Sequence, residues 1–362
     1  MNQHIGLGVI GAHAQRGWAK AVHLPALSGS ADFRITAVAS TRTAQAAEAA
    51  AVWGADRAYD DPYRLIADDD VDAVLIAVQL PKRGDLVETA LMAGKHVYVE
   101  WPLACDAETA LRYRDLAAKA GTQHAVGLQT RHHPAIAHLR DLISGGEIGE
   151  VLSASLSFSL ATPDVWSQRY ADLFDKSKGV NHLAVVGGHS MDQFASLIGP
   201  FTELSATLAT RIPEVTMAET GQRLAVTSPD QILVNGTLES GAAAAVHIMT
   251  GGPAGAGYRF EVQGTTGRLV LTSADDSLIG PRYRLSIATG GEPAPLPIPE
   301  AYWSGGTDNP GAADNIRRVY AGFARTIRGE GAVAPNFDTA VAVHRTIDAI
   351  KRAAESSTRQ RV

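Results

Sequence analysis

Cysteine is almost missing from this chain: Cys105 is the only one among 362 residues. A single thiol can form neither an intrachain disulfide nor a multi-cysteine zinc site. Long hydrophobic runs are missing too. The apolar segment Ala242–Val246 falls far short of the roughly 20 residues that cross a bilayer. The amino terminus, Met-Asn-Gln-His-Ile-Gly, lacks the basic stretch, apolar core and small-residue cleavage site of a secretory leader. A cytoplasmic protein with no membrane partner is therefore expected. There is no cationic surplus either. Lys and Arg number 32 against 38 Asp and Glu, a net charge of −6, which disfavours a nucleic-acid partner. No His-Glu-x-x-His or similar ligand spacing occurs, so no metal is expected.

What remains is an ordinary globular composition, 45% hydrophobic and 19% charged, long enough for two domains. Residues 1–128 alternate short apolar runs with longer amphipathic stretches. Ile5–Ile10, Phe33–Ala39, Ala73–Val78, His96–Val99 and Gln123–Val126 read as strands. Ala44–Trp53, Asp85–Ala93 and Ala107–Ala120 read as helices, the last two stopped by Gly94 and Gly121. Strand–helix alternation at this spacing predicts an α/β domain with a doubly wound parallel sheet.

Residues 129–362 predict a second, α+β domain with a large, mostly antiparallel open sheet. Along Val151–Leu160, residues Leu152, Ala154, Leu156, Phe158 and Leu160 share one face, with serines opposite. Further strands are expected at Leu204–Ile212, Gln231–Leu238, Ala242–Met249, Arg259–Gln263, Arg268–Leu271 and Tyr283–Ala288. Gly290–Pro299 reads as a surface loop, Ser356–Val362 as a frayed tail, and 312–328 and 337–355 as closing helices of this domain.

The first strand runs into Gly11-Ala12-His13-Ala14-Gln15-Arg16-Gly17-Trp18. A Rossmann fingerprint reads Gly-x-Gly-x-x-Gly, and His13 stands at its middle glycine. The context compensates, because the turn follows the first strand and opens a helix, where N–H groups and the helix dipole attract a pyrophosphate. Gly11 and His13 are therefore expected cofactor contacts. The second strand ends in Ser40-Thr41-Arg42. An NAD site usually has an acidic residue here. Two hydroxyls and a guanidinium suit a 2′-phosphate instead, so NADP(H) is expected over NAD(H). The alternative for Arg42 is a solvated residue at a helix start.

Val99-Glu100-Trp101-Pro102-Leu103 resembles the fifth-strand Glu-Lys-Pro motif of the glucose–fructose oxidoreductase/inositol dehydrogenase/rhizopine-catabolism (Gfo/Idh/MocA) family. Within that family the chain is most similar to the branch of the fungal galactose-regulon corepressor and its bacterial relatives. Gly17-Trp18-Ala19, His23-Leu24-Pro25-Ala26, Leu128-Gln129-Thr130-Arg131, Gly188-His189-Ser190-Met191-Asp192, Pro229-Asp230-Gln231 and Gly264-Thr265-Thr266-Gly267 carry the likeness. The resemblance implies a nicotinamide cofactor touched by Val78, Gln79, Glu100, Trp101 and Gln129, a cis bond before Pro102, and association of copies through the open sheet.

Three departures bear on chemistry. Trp101 replaces the family's catalytic lysine, Arg83 replaces a histidine, and Val185 replaces the aspartate of Asp-x-Gly-x-His. An indole donates one hydrogen bond but exchanges no proton near pH 7. Trp101 is kept as a catalytic candidate that would wall the nicotinamide. His189 is the leading acid–base candidate, since a helix starting there would hold its imidazole neutral; the alternative is a hydrogen-bonded structural histidine. Asp192 would orient that ring or cap the helix. His182 is a further catalytic or substrate-binding candidate. Arg131 would hold an anionic or hydroxylated substrate, or form a structural salt bridge.

Three functions fit. The first is an NADP(H)-dependent oxidoreductase acting on a sugar, polyol or related small molecule. The second is an inactive, nucleotide-responsive regulator that binds a protein. The third is a lyase or glycosidase that oxidises a sugar transiently and keeps its cofactor.

Overall fold

The computed structural model describes residues 4–161, 164–252, 255–275, 281–303, 311–332 and 334–362. The chain divides into two compact units, Met1–Gln129 with Ala312–Ala342, and Thr130–Gly311 with Val343–Val362.

The first unit is a six-stranded parallel sheet. Its strands are β1 (Ile5–Ile10), β2 (Phe33–Ala39), β3 (Arg57–Tyr59), β4 (Ala73–Ile76), β5 (His96–Val99) and β6 (His124–Val126), in the order β3-β2-β1-β4-β5-β6. The sheet order reverses beside β1, so the β1 and β4 ends flank the crevice where such folds bind ligands. Helices α1 (Leu24–Leu27), α2 (Thr43–Trp53), α3 (Pro62–Ile66), α4 (Leu86–Met92) and α5 (Ala107–Ala120) lie between strands. The start of α5 is fixed by Asp106, whose carboxylate accepts the Thr109 N–H at 2.7 Å. Strand β3 and helix α3 escaped the sequence reading, being too short to show a period.

The closing helix Ala312–Ile327 corrects the expected domain boundary. It belongs to the first unit, where Ile316, Val319, Tyr320, Phe323 and Ala324 join the core formed by Leu7, Val9, Phe33 and Tyr98. Its apolar stripe is visible in the sequence, but which sheet buries it is a tertiary matter.

The second unit contains helices α6 (Pro134–Ser144) and α7 (Gly188–Ile198) and a nine-stranded sheet. Strands β7 (Val151–Leu160), β8 (Val165–Trp166), β9 (Phe201–Ala209), β10 (Glu214–Met217), β11 (Arg223–Ala225), β12 (Gln231–Leu238), β13 (Ala243–Thr250), β14 (Gly257–Gly264), β15 (Arg268–Ser273), β16 (Arg284–Ala288), β17 (Ala294–Leu296) and β18 (Gln360–Arg361) follow in chain order. The large sheet runs β17-β16-β15-β14-β7-β13-β12-β9-β18 and is antiparallel except for the β7–β13 pair. Ala154, Leu156 and Phe158 face its core as the alternation predicts, whereas Leu152 is 53% exposed at the strand's start. Two further expectations change. Gly290–Pro299 contains the edge strand β17, and the tail supplies β18, with Gln360 opposite Leu204. Backbone pairing, not side-chain pattern, orders both. A smaller sheet, β11-β10-β8, covers a satellite core of Phe174, Val215 and Met217. The helix Ala312–Ile327 is α8, and α9 (Phe337–Ser356) runs from the first unit's residues into the second's.

Candidate functional site

In the first unit, the chain leaves β1 at Gly11 with φ +91. A Cβ there would lie 3.0 Å from the Ala77 carbonyl oxygen and 3.2 Å from Val78, so only glycine fits this approach of two loops. Its N–H donates to the Ala39 carbonyl at 3.2 Å, tying the ends of β1 and β2, and the Ala77 N–H past β4 donates to the Ile10 carbonyl at 3.0 Å. His13 is half-buried, and its carbonyl accepts the Trp53 indole N–H at 3.2 Å. Ser40 follows β2, its N–H donating to Tyr59, while Thr41 and Arg42 are exposed. Arg42 precedes α2 in extended conformation without capping it. Among the described residues its guanidinium makes no ion pair.

Past β4, Val78 is half-buried and Gln79 exposed. Arg83 organises this edge. Its guanidinium is 3% exposed and donates to four backbone carbonyls: Val78 (3.1 Å), Glu100 (3.0 Å), Pro102 (2.7 Å) and Leu103 (2.9 Å). Burial lowers its pKa to about 10, with the Glu100 charge opposing. The arginine that stands in for the family's histidine is therefore a clamp on two loops. The Trp101–Pro102 bond is cis, as the resemblance implied, and Trp101 is buried.

Glu100 follows β5. Its carboxylate lies against Gly127, where a Cβ would come within 2.5 Å of Oε1, and it pairs with His23 Nε2 at 2.9 Å. Gln129 is buried, and its side-chain carbonyl oxygen has no partner among the described residues. A tight cradle at Gly11 and a buried acceptor at Gln129 both fit a bound nucleotide.

In the second unit, Arg131 and Asp192 find each other. Arg131 Nε donates to Asp192 Oδ2 at 2.9 Å, and Nη2 donates to Oδ1. The carboxylate is fully buried, which raises its pKa, while Arg131 pulls it back down. Arg131 forms the salt bridge that was one of its two expected roles, and Asp192 lies inside α7 and does not cap it.

The helix argument for His189 is also corrected. A π-helical turn, Leu183–Gly187, runs directly into α7, so the positive end of the helix lies earlier. Asn181 marks that end, its side-chain oxygen accepting the Ala184 N–H at 3.0 Å. His182, not His189, sits in the first turn. Its Nδ1 is hydrogen-bonded to Thr250 Oγ1 at 2.8 Å, and burial lowers its pKa to about 4, with Asp230 opposing. His189 is half-buried seven residues further on, about two turns along the helix. Among the described residues no group of three His, Cys, Asp or Glu side chains is placed to hold a metal, and no helix is long and apolar enough to cross a membrane.

Sequence reasoning missed the roles of Arg83 and His23. Arg83 was visible only as a replacement and His23 only as part of a motif.

Comparison with known proteins agrees with this architecture. An oxidoreductase family with an NAD-binding Rossmann fold matches residues 5–128, and the C-terminal domain of Gal80p matches residues 134–273. A dehydrogenase of Aspergillus oryzae, aclE, is 31% identical over 251 residues, covering 66% of this chain and 68% of that protein. The chain belongs to this oxidoreductase family. Another family relative is the galactose/lactose metabolism regulatory protein GAL80 of Saccharomyces cerevisiae, 29% identical over 66% of this chain and 58% of its own length. Levoglucosan dehydrogenase, solved with NADH and L-sorbose, shares the family fold with a TM-score of 0.86 at 23% identity, over 99% of both chains. The family thus includes proteins named as dehydrogenases and proteins named as regulators.

Proposed function

We propose that this chain is an NADP(H)-dependent oxidoreductase that moves hydride between nicotinamide and a small hydroxy or carbonyl compound, such as a sugar or polyol. The cradle at Gly11, pressed against Ala77 and Val78 and bonded to the end of β2, three residues before the exposed Arg42, is the observation that carries this reading. The cradle fits a pyrophosphate, and Ser40, Thr41 and Arg42 fit a 2′-phosphate. When bound, the nicotinamide supplies or accepts the hydride.

The protein's own residues then have separable roles. Gly11, His13, Val78 and Gln79 bind the dinucleotide. Glu100 and Gln129 hold its nicotinamide-side ribose and amide. Trp101 gives that ring an apolar wall and one indole N–H donor. His189 is the residue proposed to exchange the substrate proton, because Trp101 cannot. His182, neutral and hydrogen-bonded to Thr250, is a second catalytic or substrate-binding candidate. Replacing His189 by Ala should lower turnover by roughly 10²–10⁴-fold, the usual worth of an acid–base group.

Trp101, Val185 and the clamped Arg83 together favour one second reading, a regulator that binds the nucleotide without turning it over. Purified protein incubated with NADP⁺ or NADPH and mixed polyols, sugars, aldehydes and ketones separates the two. Net change in nicotinamide absorbance with matching product supports the oxidoreductase. Product without net cofactor change indicates transient oxidation, and tight binding with neither signal indicates the regulator. The open sheet face, with Ser153, Ser155, Leu233, Ala243 and Ala245, is where we expect copies to associate into a cytoplasmic homo-oligomer. Light scattering at micromolar concentration tests that.

A further inference from the structure

Behind Glu100 lies a buried relay of three polar side chains from distant parts of the chain. His23 has no solvent exposure, and its Nε2 stands 2.9 Å from Glu100 Oε1. Its Nδ1 stands 2.8 Å from the Tyr320 hydroxyl, on helix α8. For a neutral ring beside an ionised carboxylate, donor and acceptor capacities give one direction. An ionised carboxylate only accepts, so Nε2 carries the ring proton and donates it to Glu100. Nδ1 of that neutral tautomer can only accept, so the Tyr320 hydroxyl donates. Burial holds the Tyr320 pKa well above its ordinary value, so the phenol keeps its proton.

Aromatic packing immobilises the relay. The His23 ring meets Tyr98 edge-on at 5.3 Å and Tyr320 at 5.7 Å, and Phe33 packs on Tyr320 at 5.4 Å. The Glu100 backbone is held as well, its N–H donating to Ile76 and its carbonyl accepting from Arg83. The side-chain torsions are the remaining freedom, and His23 removes it.

We propose that His23 and Tyr320 are positioning residues for nicotinamide-nucleotide binding. They select one ring tautomer and aim the Glu100 carboxylate, so that α8 helps to set cofactor affinity. This rests on the reading that Glu100 faces the cofactor. An aimed carboxylate is ready for a ribose hydroxyl, and a free one must be ordered on binding.

Two amides of nearly equal size test the relay. In His23→Gln the side-chain N–H₂ falls near the former Nε2 and still donates to Glu100. In His23→Asn it falls near the former Nδ1 and does not. NADP⁺ and NAD⁺ are titrated into the whole protein and each variant, with thermal midpoints recorded alongside. The expected result is His23→Gln within about 3-fold of the parent and His23→Asn weaker by roughly 10-fold or more, the scale of a lost hydrogen bond to a charged group. Tyr320→Phe, which releases the tautomer, should lie between them. A purely structural role would weaken Gln and Asn alike, in step with their midpoints. Equal affinities of the two amides overturn the relay while leaving the cofactor reading intact. A parent protein that binds neither nucleotide overturns both.

Discussion

The Arg131 guanidinium and the Asp192 carboxylate meet side-on through two hydrogen bonds, with the carboxylate wholly sealed from solvent. They lie 61 residues apart in sequence and tie the turn before α6 to the middle of α7. Removing one partner leaves a buried charge alone. Arg131→Ala should therefore cost about 3–5 kcal/mol of stability, and Arg131→Met with Asp192→Leu much less than the two single changes summed. Urea unfolding of the three variants checks this. A substrate-anchoring Arg131 would leave stability near that of the parent.

Histidine 182 should make the second unit acid-sensitive. Its folded pKa, about 4, lies below the ordinary value of 6.5. The unfolded chain therefore binds a proton first as pH falls. Stability attributable to this residue is complete above pH 6.5 and is lost between 6.5 and 4, by an amount on the order of 3 kcal/mol. Below that both states are protonated and the loss stops. Urea midpoints at pH 7.5 and 5.0 should differ less in His182→Gln than in the parent.

Arg83 satisfies four backbone carbonyls from two loops at once. Arg83→Met should lower stability by roughly 3 kcal/mol or more, since hydrogen bonds to a charged donor are worth about 1.5–3 kcal/mol each. Arg83→Lys should recover only part of it, because an ammonium cannot reproduce the planar fork. Thermal unfolding compares the three. If Arg83 instead exchanged protons as a catalytic group, Lys would keep turnover and Met alone would lose it.

The exposed Arg42 gives a test of cofactor choice. Arg42→Ala should weaken NADPH by roughly 10–100-fold and NADH by no more than about 3-fold, because only the former carries the 2′-phosphate. Equal losses for the two nucleotides in a binding titration would remove Arg42 from the cofactor site.

Much of the architecture was legible in order and type. The run Ile5–Ile10 is continuous and apolar because a parallel strand is buried on both faces, and it is observed with those bounds. Gln231–Leu238 is likewise observed as read, its Ile232 and Val234 inward and Leu233 outward. The small sheet of β8, β10 and β11 was not legible, since two to four residues show no period. Nor was the tail strand β18, whose order comes from backbone hydrogen bonds to an existing edge.

The same division runs through the candidate site. Local rules singled out Gly11 and Ser40-Thr41-Arg42 as cofactor candidates, because a strand end, a turn and a following helix create such an edge within a few dozen residues, whereas Glu100 came only from the family resemblance. Local rules misplaced the helix start by His189, since a π-helical turn depends on packing and leaves no pattern. Composition and periodicity alone determined a parallel-sheet domain, an antiparallel-sheet domain and their order. Tertiary structure alone decided that Arg131 is held by Asp192, that Arg83 is a clamp, and that Glu100 is backed by His23 and Tyr320. Each of these depends on side chains brought together by folding, and a hydrogen bond between residues 297 positions apart leaves no trace in the order of either one's neighbours.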